Sequence, residues 1–230
     1  VKALKEAGAS VEILSLKAAE HNANGGYQAV SNTGVAQALG IYGMQMGSIR
    51  REQGRLGEVA PLVKRFIDEN PEESVWKPGL MLIANELGFH AQARQHFEAF
   101  AATGFDLPED VKRPATLTYF AEVCVVLGDV ERAGRLSELL DPYRDIIMLM
   151  PPHSVCCGAT SHFLGMLSAT MKDWLAAEKH FNQALVLNEQ IRAWPRLAWT
   201  RFEYARMLLA SGRNSDTVNA SELRALAVSE

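Results

Sequence analysis

The sequence predicts an all-α chain, an array of about five helix pairs stacked in series, and three observations carry that prediction. First, a turn recurs with the same residues around it. Leu87-Gly88 is followed by Ala93 and Phe97, Leu127-Gly128 by Ala133 and Leu136, and Met171-Lys172-Asp173 by Ala177 and Phe181. Second, a fainter copy at Gly54 has Val59 and Val63 in those places, and the turns lie 34, 40 and 44 residues apart, the spacing of a helical repeat array. Third, apolar residues between the turns return at helical intervals rather than in alternation.

Taken in order, residues 2–21 read as an amphipathic helix through Leu4, Ala7, Val11, Leu14 and Ala18. The segment from His21 to Gly26 reads as a polar, glycine-rich break. Residues 1–33 are therefore expected to be a leading helix and polar loop, either a cap or the end of an upstream repeat, and 34–230 the array. Residues 34–53 resume the helical pattern with Val35, Leu39, Tyr42, Met46 and Ile49, and Leu56 to Ile67 makes its partner, ended by Asn70-Pro71. The second pair spans about 76–103. The third is 115–127 with 130–141, closed by Asp141-Pro142. Residues 154–171 with 174–188 form the fourth pair, and 193–211 with 216–229 the fifth. The turn from Ser211 to Asp216 carries three extra residues, and aligning Asp216 with Asp129 and Asp173 puts Ala220 beneath Ala133 and Ala177.

The repeated positions have a common physical logic. A small residue sits seven before the turn at Gly47, Ala121, Gly165 and Ala205, with Met81 the exception, and is expected to let the next helix approach. Alanine five after the turn does the same from the other side. The larger residue at plus eight or nine fills the groove between neighbouring pairs. One hairpin cannot bury both its faces, so pairs must stack into a continuous core.

Composition excludes several classes. The 230 residues, 48% hydrophobic and 22% charged, can bury a sizeable core. A net charge of −4 and a pI near 5.9 argue against binding a nucleic-acid backbone. Three cysteines form no disulfide framework and fit a reducing, cytoplasmic setting. No apolar stretch reaches the roughly 18 residues of a membrane span. The chain opens at Val1 inside a helical pattern without an apolar leader, and so reads as part of something longer.

Gly165, Ala177, Phe181 and Ala184 stand in the tetratricopeptide register, in which alanine follows the turn by five, an aromatic by nine and alanine by twelve. The narrower wording is recurrent too: Arg50 to Leu56, Asn85 to Gly88 with Ala93-Arg94, Leu117 to Ala133, Leu140 to Tyr143, Cys157-Gly158, Phe163 to Gly165, His180-Phe181, and Leu197-Ala198 with Tyr204-Ala205. Over about residues 35–212 this resembles the C-terminal helical-repeat region of bacterial multidomain signalling proteins. Those proteins carry an adenylate/guanylate cyclase, a LuxR-type DNA-binding domain or a protein kinase, commonly with an AAA/STAND ATPase. The resemblance implies a right-handed α-α superhelix of about five tetratricopeptide-like helix pairs. It also implies a sensory or partner-binding role, with any catalysis or DNA binding on other parts of such a protein.

The residues themselves supply no convincing active site. There is no phosphate-loop pattern, no His-Glu-x-x-His and no Cys-x-x-Cys. Cys156-Cys157 with His153 and His162 comes nearest to a metal cluster, but adjacent cysteines do not easily ligate one zinc, and buried small residues at a helix start are the plainer reading. His96 and His180 read as half-exposed neighbours of the packing aromatics, with a pair of ligand contacts as the alternative. Trp194, Trp199, Phe202 and Tyr204 read mainly as core or inter-repeat packing, with an aromatic floor for a ligand as the alternative. Arg50, Arg51 and Arg55 read as compensation of a helix C-terminus and as ion-pair partners, with an acidic partner peptide as the alternative. Glu69, Glu72 and Glu73 read as a solvated helix end and loop.

No cofactor or metal is expected. Arrays of this kind bind along the face lined by the first helix of each pair, where the candidate contacts are Gln45, Asn85, Tyr119, Glu122, His162, Arg201 and Tyr204. The expected function is a non-catalytic regulatory and protein-interaction module, engaged in signal transduction or transcription regulation. Its partner would be a protein, a peptide or an attached effector domain. The alternatives are a superhelix that senses a small-molecule inducer and, third, an enzyme whose groups converge from different repeats.

Overall fold

The structure, a computed structural model, describes residues 13–31, 38–61, 77–150, 155–212 and 216–229. Residues 2–12 of the expected first helix, residues 62–67 of the one from Leu56 to Ile67, the acidic group Glu69, Glu72 and Glu73, and His153 lie outside the described residues.

The chain is mostly helical. Helices α1 (Ile13–Ser31) and α2 (Ala38–Glu52) precede a 3-10 turn at Leu56–Glu58. They are followed by α3 (Lys77–Glu86), α4 (His90–Ala101), α5 (Arg113–Leu127) and α6 (Val130–Leu140). A 3-10 turn at Asp141–Tyr143 leads into strands β1 (Ile147–Met150) and β2 (Val155–Ala159). The chain closes with α7 (Thr160–Thr170), α8 (Trp174–Gln190), α9 (Trp194–Ser211) and α10 (Asp216–Ser229). Consecutive helices pack as α3 on α4, α5 on α6, α7 on α8 and α9 on α10, while the first members pack in a row, α3 on α5, α5 on α7 and α7 on α9.

The recurring turn has a conformational cause. Gly54, Gly88, Gly128, Lys172 and Gly212 all take a left-handed backbone, with φ between 61° and 85°. This lets the chain fold back over the last helical turn: Asp129 N donates to the Cys124 carbonyl and Asp173 N to that of Ser168. The next helix is then capped by an aspartate, Asp129 accepting from Arg132 N at 3.0 Å and Asp173 from Ala176 N at 3.1 Å.

The repeated positions are core. Ala93, Phe97, Ala133, Leu136, Ala177, Phe181 and Ala220 are fully buried. At Gly165 a Cβ would stand 2.9 Å from the Phe181 ring, so glycine there is what admits the aromatic of the next helix. Gly47 does not share that role, because a Cβ there would meet nothing within 4 Å.

Two departures have physical reasons. The expected break at His21 to Gly26 is helical, because α2 packs along it. Ala23 is buried, Tyr27 stacks on Tyr42 with centroids 4.6 Å apart, and the Tyr42 hydroxyl donates to Asn24 Oδ1 at 2.8 Å. Tertiary contact outweighs the poor helix propensity of Asn and Gly. The fourth pair begins at Thr160 rather than 154, since β1 and β2 form an antiparallel hairpin inside the all-α frame. Met148, Met150 and Cys157 point it into the core, and a bulge between Met148 and Leu149 re-aims the residues that follow.

Candidate functional site

Arg51, in the last turn of α2, reaches the row formed by α3, α5 and α9. Its Nη2 donates to Glu86 Oε1 at 2.6 Å and it makes a second, short pair with Glu122. Its guanidinium carbon lies 5.9 Å from the centre of the Trp199 ring. Burial works against the charge on Arg51, but Glu122 and Glu86 hold it protonated well above the usual arginine range. Glu52, the next residue, accepts from Arg196 Nη2 of α9 at 2.5 Å across 144 positions of sequence. The end of α2 is thus clamped between α3, α5 and α9.

Arg196 is held by the hairpin. Gly158 has φ of +90° and its missing Cβ would fall 3.1 Å from the Arg196 stem, so glycine serves both the bulged strand and the close approach. Beneath lies a buried polar network. Asn188 accepts from Ala159 N at 2.9 Å and donates from Nδ2 to Thr200 Oγ1 at 3.1 Å. The Thr200 hydroxyl donates to the Arg196 carbonyl at 2.8 Å, which leaves His162 to donate from Nδ1 to Thr200 Oγ1 at 3.1 Å. That assigns the neutral Nδ1–H tautomer. Burial, then the charges of Arg196 and Arg51, push the His162 pKa down to about 3.

Arg51, Glu122, Cys157, His162, Arg196 and Trp199 line a small cavity of about 20 Å³, room for one water molecule. The indole Nε1 of Trp199 is buried and has no hydrogen-bond partner among the described residues. On the other side of Arg196 a larger cleft of about 410 Å³ opens between α1, α2, β2 and the start of α9.

The structure brings only some of the sequence candidates together. Glu122 and His162 meet at the Arg51 cavity. Tyr119 on α5 lies near them, its hydroxyl pushed up by burial and then by the negative charge of Cys157 and Glu122, with Arg51 and Arg196 pulling the other way. Gln45 lines the larger cleft instead. Asn85 is buried and its Oδ1 meets His90 Nδ1 at 3.2 Å. Tyr204 is buried, stacked on Phe181 at 5.4 Å, and belongs to the core. Arg201 is half-buried on α9 and outside both cavities. The sequence singles out Arg51 first of all as an ion-pair residue and Trp199 as a core residue, and Glu52, Glu86 and Arg196 not at all. The Arg50-Arg51 doublet signalled ion pairs, and Arg50 bonds Glu20 at 2.6 Å while Arg55 bonds Glu58 at 2.7 Å. Nothing in the sequence marks Arg196.

Burial raises the Cys157 thiol to about 11 and that of Cys124 to about 12, which leaves Cys156, half-buried beside the larger cleft, as the accessible thiol. Among the described residues no group of three or more His, Cys, Asp or Glu is placed to hold a metal ion, and no helix is long and apolar enough to cross a membrane. No protein-family model matches the chain, and no curated protein or solved structure matches it.

Proposed function

We propose that the chain is a non-catalytic regulatory module that holds a protein or peptide partner. In this reading its helix pairs are a right-handed α-α superhelix of the tetratricopeptide type, within a larger bacterial signalling or transcription-regulating protein. One observation carries the reading. Glu86, Glu122 and Trp199, from three helices in the row, converge on a guanidinium, and the chain's own Arg51 occupies the place. Two carboxylates and an aromatic face suit the planar fork of arginine better than the point charge of lysine. The partner is then a segment that presents an arginine, and it binds in competition with Arg51. His162, neutral across the physiological range, supports the array rather than moving protons.

The test is fluorescence anisotropy with a labelled alanine-rich peptide bearing one arginine, beside its lysine analogue. Arg51→Ala should bind the arginine peptide about tenfold more tightly than the unaltered chain, because the internal competitor is gone. Glu122→Gln in that background should reverse most of the gain. Equal binding before and after Arg51→Ala, or equal binding of the two peptides, sinks the proposal.

A second reading, a sensor of a small molecule, is favoured by the cleft of about 410 Å³, which has the size of a small-molecule site and a few polar groups in a largely apolar lining.

A further inference from the structure

We infer that the cleft between α1, α2, β2 and the start of α9 is a binding site for a free α-amino acid with an apolar side chain. The inference gives the small-molecule reading its ligand class, and it is independent of the arginine peptide.

The charges at the cleft come first. Glu52 and Arg196 both line it, and their pairing is a single Nη2–Oε1 bond of 2.5 Å. An arginine side chain has five N–H donors and a carboxylate has two oxygens, so each partner keeps capacity for a further charged group. The pair is also well shielded, with the side chains of Arg196 and Glu52 15% and 7% exposed. A bare carboxylate ligand would place a second anion beside Glu52, and a bare amine a second cation beside Arg196. A zwitterion meets both without adding net charge to a poorly solvated place. Its carboxylate takes the remaining donors of Arg196 and its ammonium the free oxygen of Glu52. Arg196 is fixed for this role by its close seat over Gly158.

The rest of the lining fits an apolar body with modest polar contact. Ala19, Ala23, Ile49 and Val155 supply apolar wall. The side chains of Asn22, Gln45 and Ser48 face the same space, and among the described residues they make no hydrogen bond. Gly26 sits in the interior of α1, where glycine weakens a helix. A Cβ there would meet nothing within 4 Å, so packing inside the chain gives no reason for the glycine. A body lying in the cleft does. The segment His21 to Gly26, which looks like a break in sequence, is on this reading one wall of a binding site.

The experiment uses the whole 230-residue chain and two readouts, titration calorimetry and the rate at which Cys156 is alkylated by iodoacetamide. The probes are L-leucine, L-methionine and L-phenylalanine, with 4-methylpentanoate and isoamylamine as the leucine analogues that lack one charge. An apolar amino acid should bind and slow alkylation, and removing either charge should weaken binding about tenfold or more. Gly26→Leu, which fills the cleft from an exposed helix face, should abolish binding while leaving the far-ultraviolet circular dichroism unchanged. Arg196→Gln should do the same. Absence of binding by every amino acid up to about 10 mM overturns the inference, as does undiminished binding to Gly26→Leu. If 4-methylpentanoate or isoamylamine binds and protects Cys156 where leucine does not, the amino-acid inference fails while the small-molecule reading survives. Protection by none of the probes removes the amino-acid inference and leaves the arginine-peptide proposal to its own test.

Discussion

At Gly165 the absence of one carbon decides the packing of two helices. The Phe181 ring lies 2.9 Å from where an alanine Cβ would be, and Phe181 is fully buried. Gly165→Ala should therefore cost about 1–3 kcal/mol, read as a lowered urea midpoint, even though alanine is the better helix former. Lys172 presents the opposite case, an L side chain held at φ of 61° where the sister turns carry glycine. Lys172→Gly should raise stability by roughly 0.5–1 kcal/mol in the same assay. His162 adds a pH dependence of fixed sign. Its folded pKa, about 3, lies below the ordinary histidine value of 6.5, so between them the unfolded chain binds the extra proton. Stability from this group is present above about pH 6.5 and is lost as pH falls toward 3. His162→Gln should flatten that slope in urea titrations run across the interval, and an unchanged slope would assign it to carboxylates instead.

At the scale of elements, the register seen in sequence corresponds to real packing because its constraints are local and periodic. A left-handed residue, an aspartate cap, an alanine at plus five and an aromatic at plus nine all act within one hairpin. Each can be read without knowing what lies across the fold. The β-hairpin was illegible for the same reason. Residues 146–159 are a short apolar run around two prolines, and such a run does not distinguish a strand from a helix start until its partner is known. The continuity of α1 through Gly25-Gly26 likewise depends on Tyr42 and α2 and is not written in the segment itself. The candidate site was half legible. Glu122 and His162 are expected on first helices and meet at one cavity, whereas Arg51 and Arg196 acquire meaning from contacts that no window along the chain contains. The hairpin also sorts the thiols. Brief treatment of the folded protein with iodoacetamide should modify Cys156 and spare Cys124 and Cys157, as peptide mapping would show. Equal labelling of all three would contradict the burial described here.

At the scale of the molecule, the Glu52–Arg196 pair joins α2 to α9. Because the pair is shielded, removing one partner leaves an uncompensated charge, and either single change should destabilise more than a surface ion pair would. A double-mutant cycle with Glu52→Gln and Arg196→Gln should return a coupling of about 0.5–3 kcal/mol, and additivity would mean that the two side chains do not interact. Stacked repeats ordinarily touch only their neighbours, so such arrays lengthen or shorten by whole units with little penalty. A tie between α2 and α9 would remove that freedom from an array built this way. Excising or duplicating one hairpin between them would shift α9 away from α2 and open the join, however well the new seam packed. The run of helices between α2 and α9 is therefore held to a length that lets this one join close.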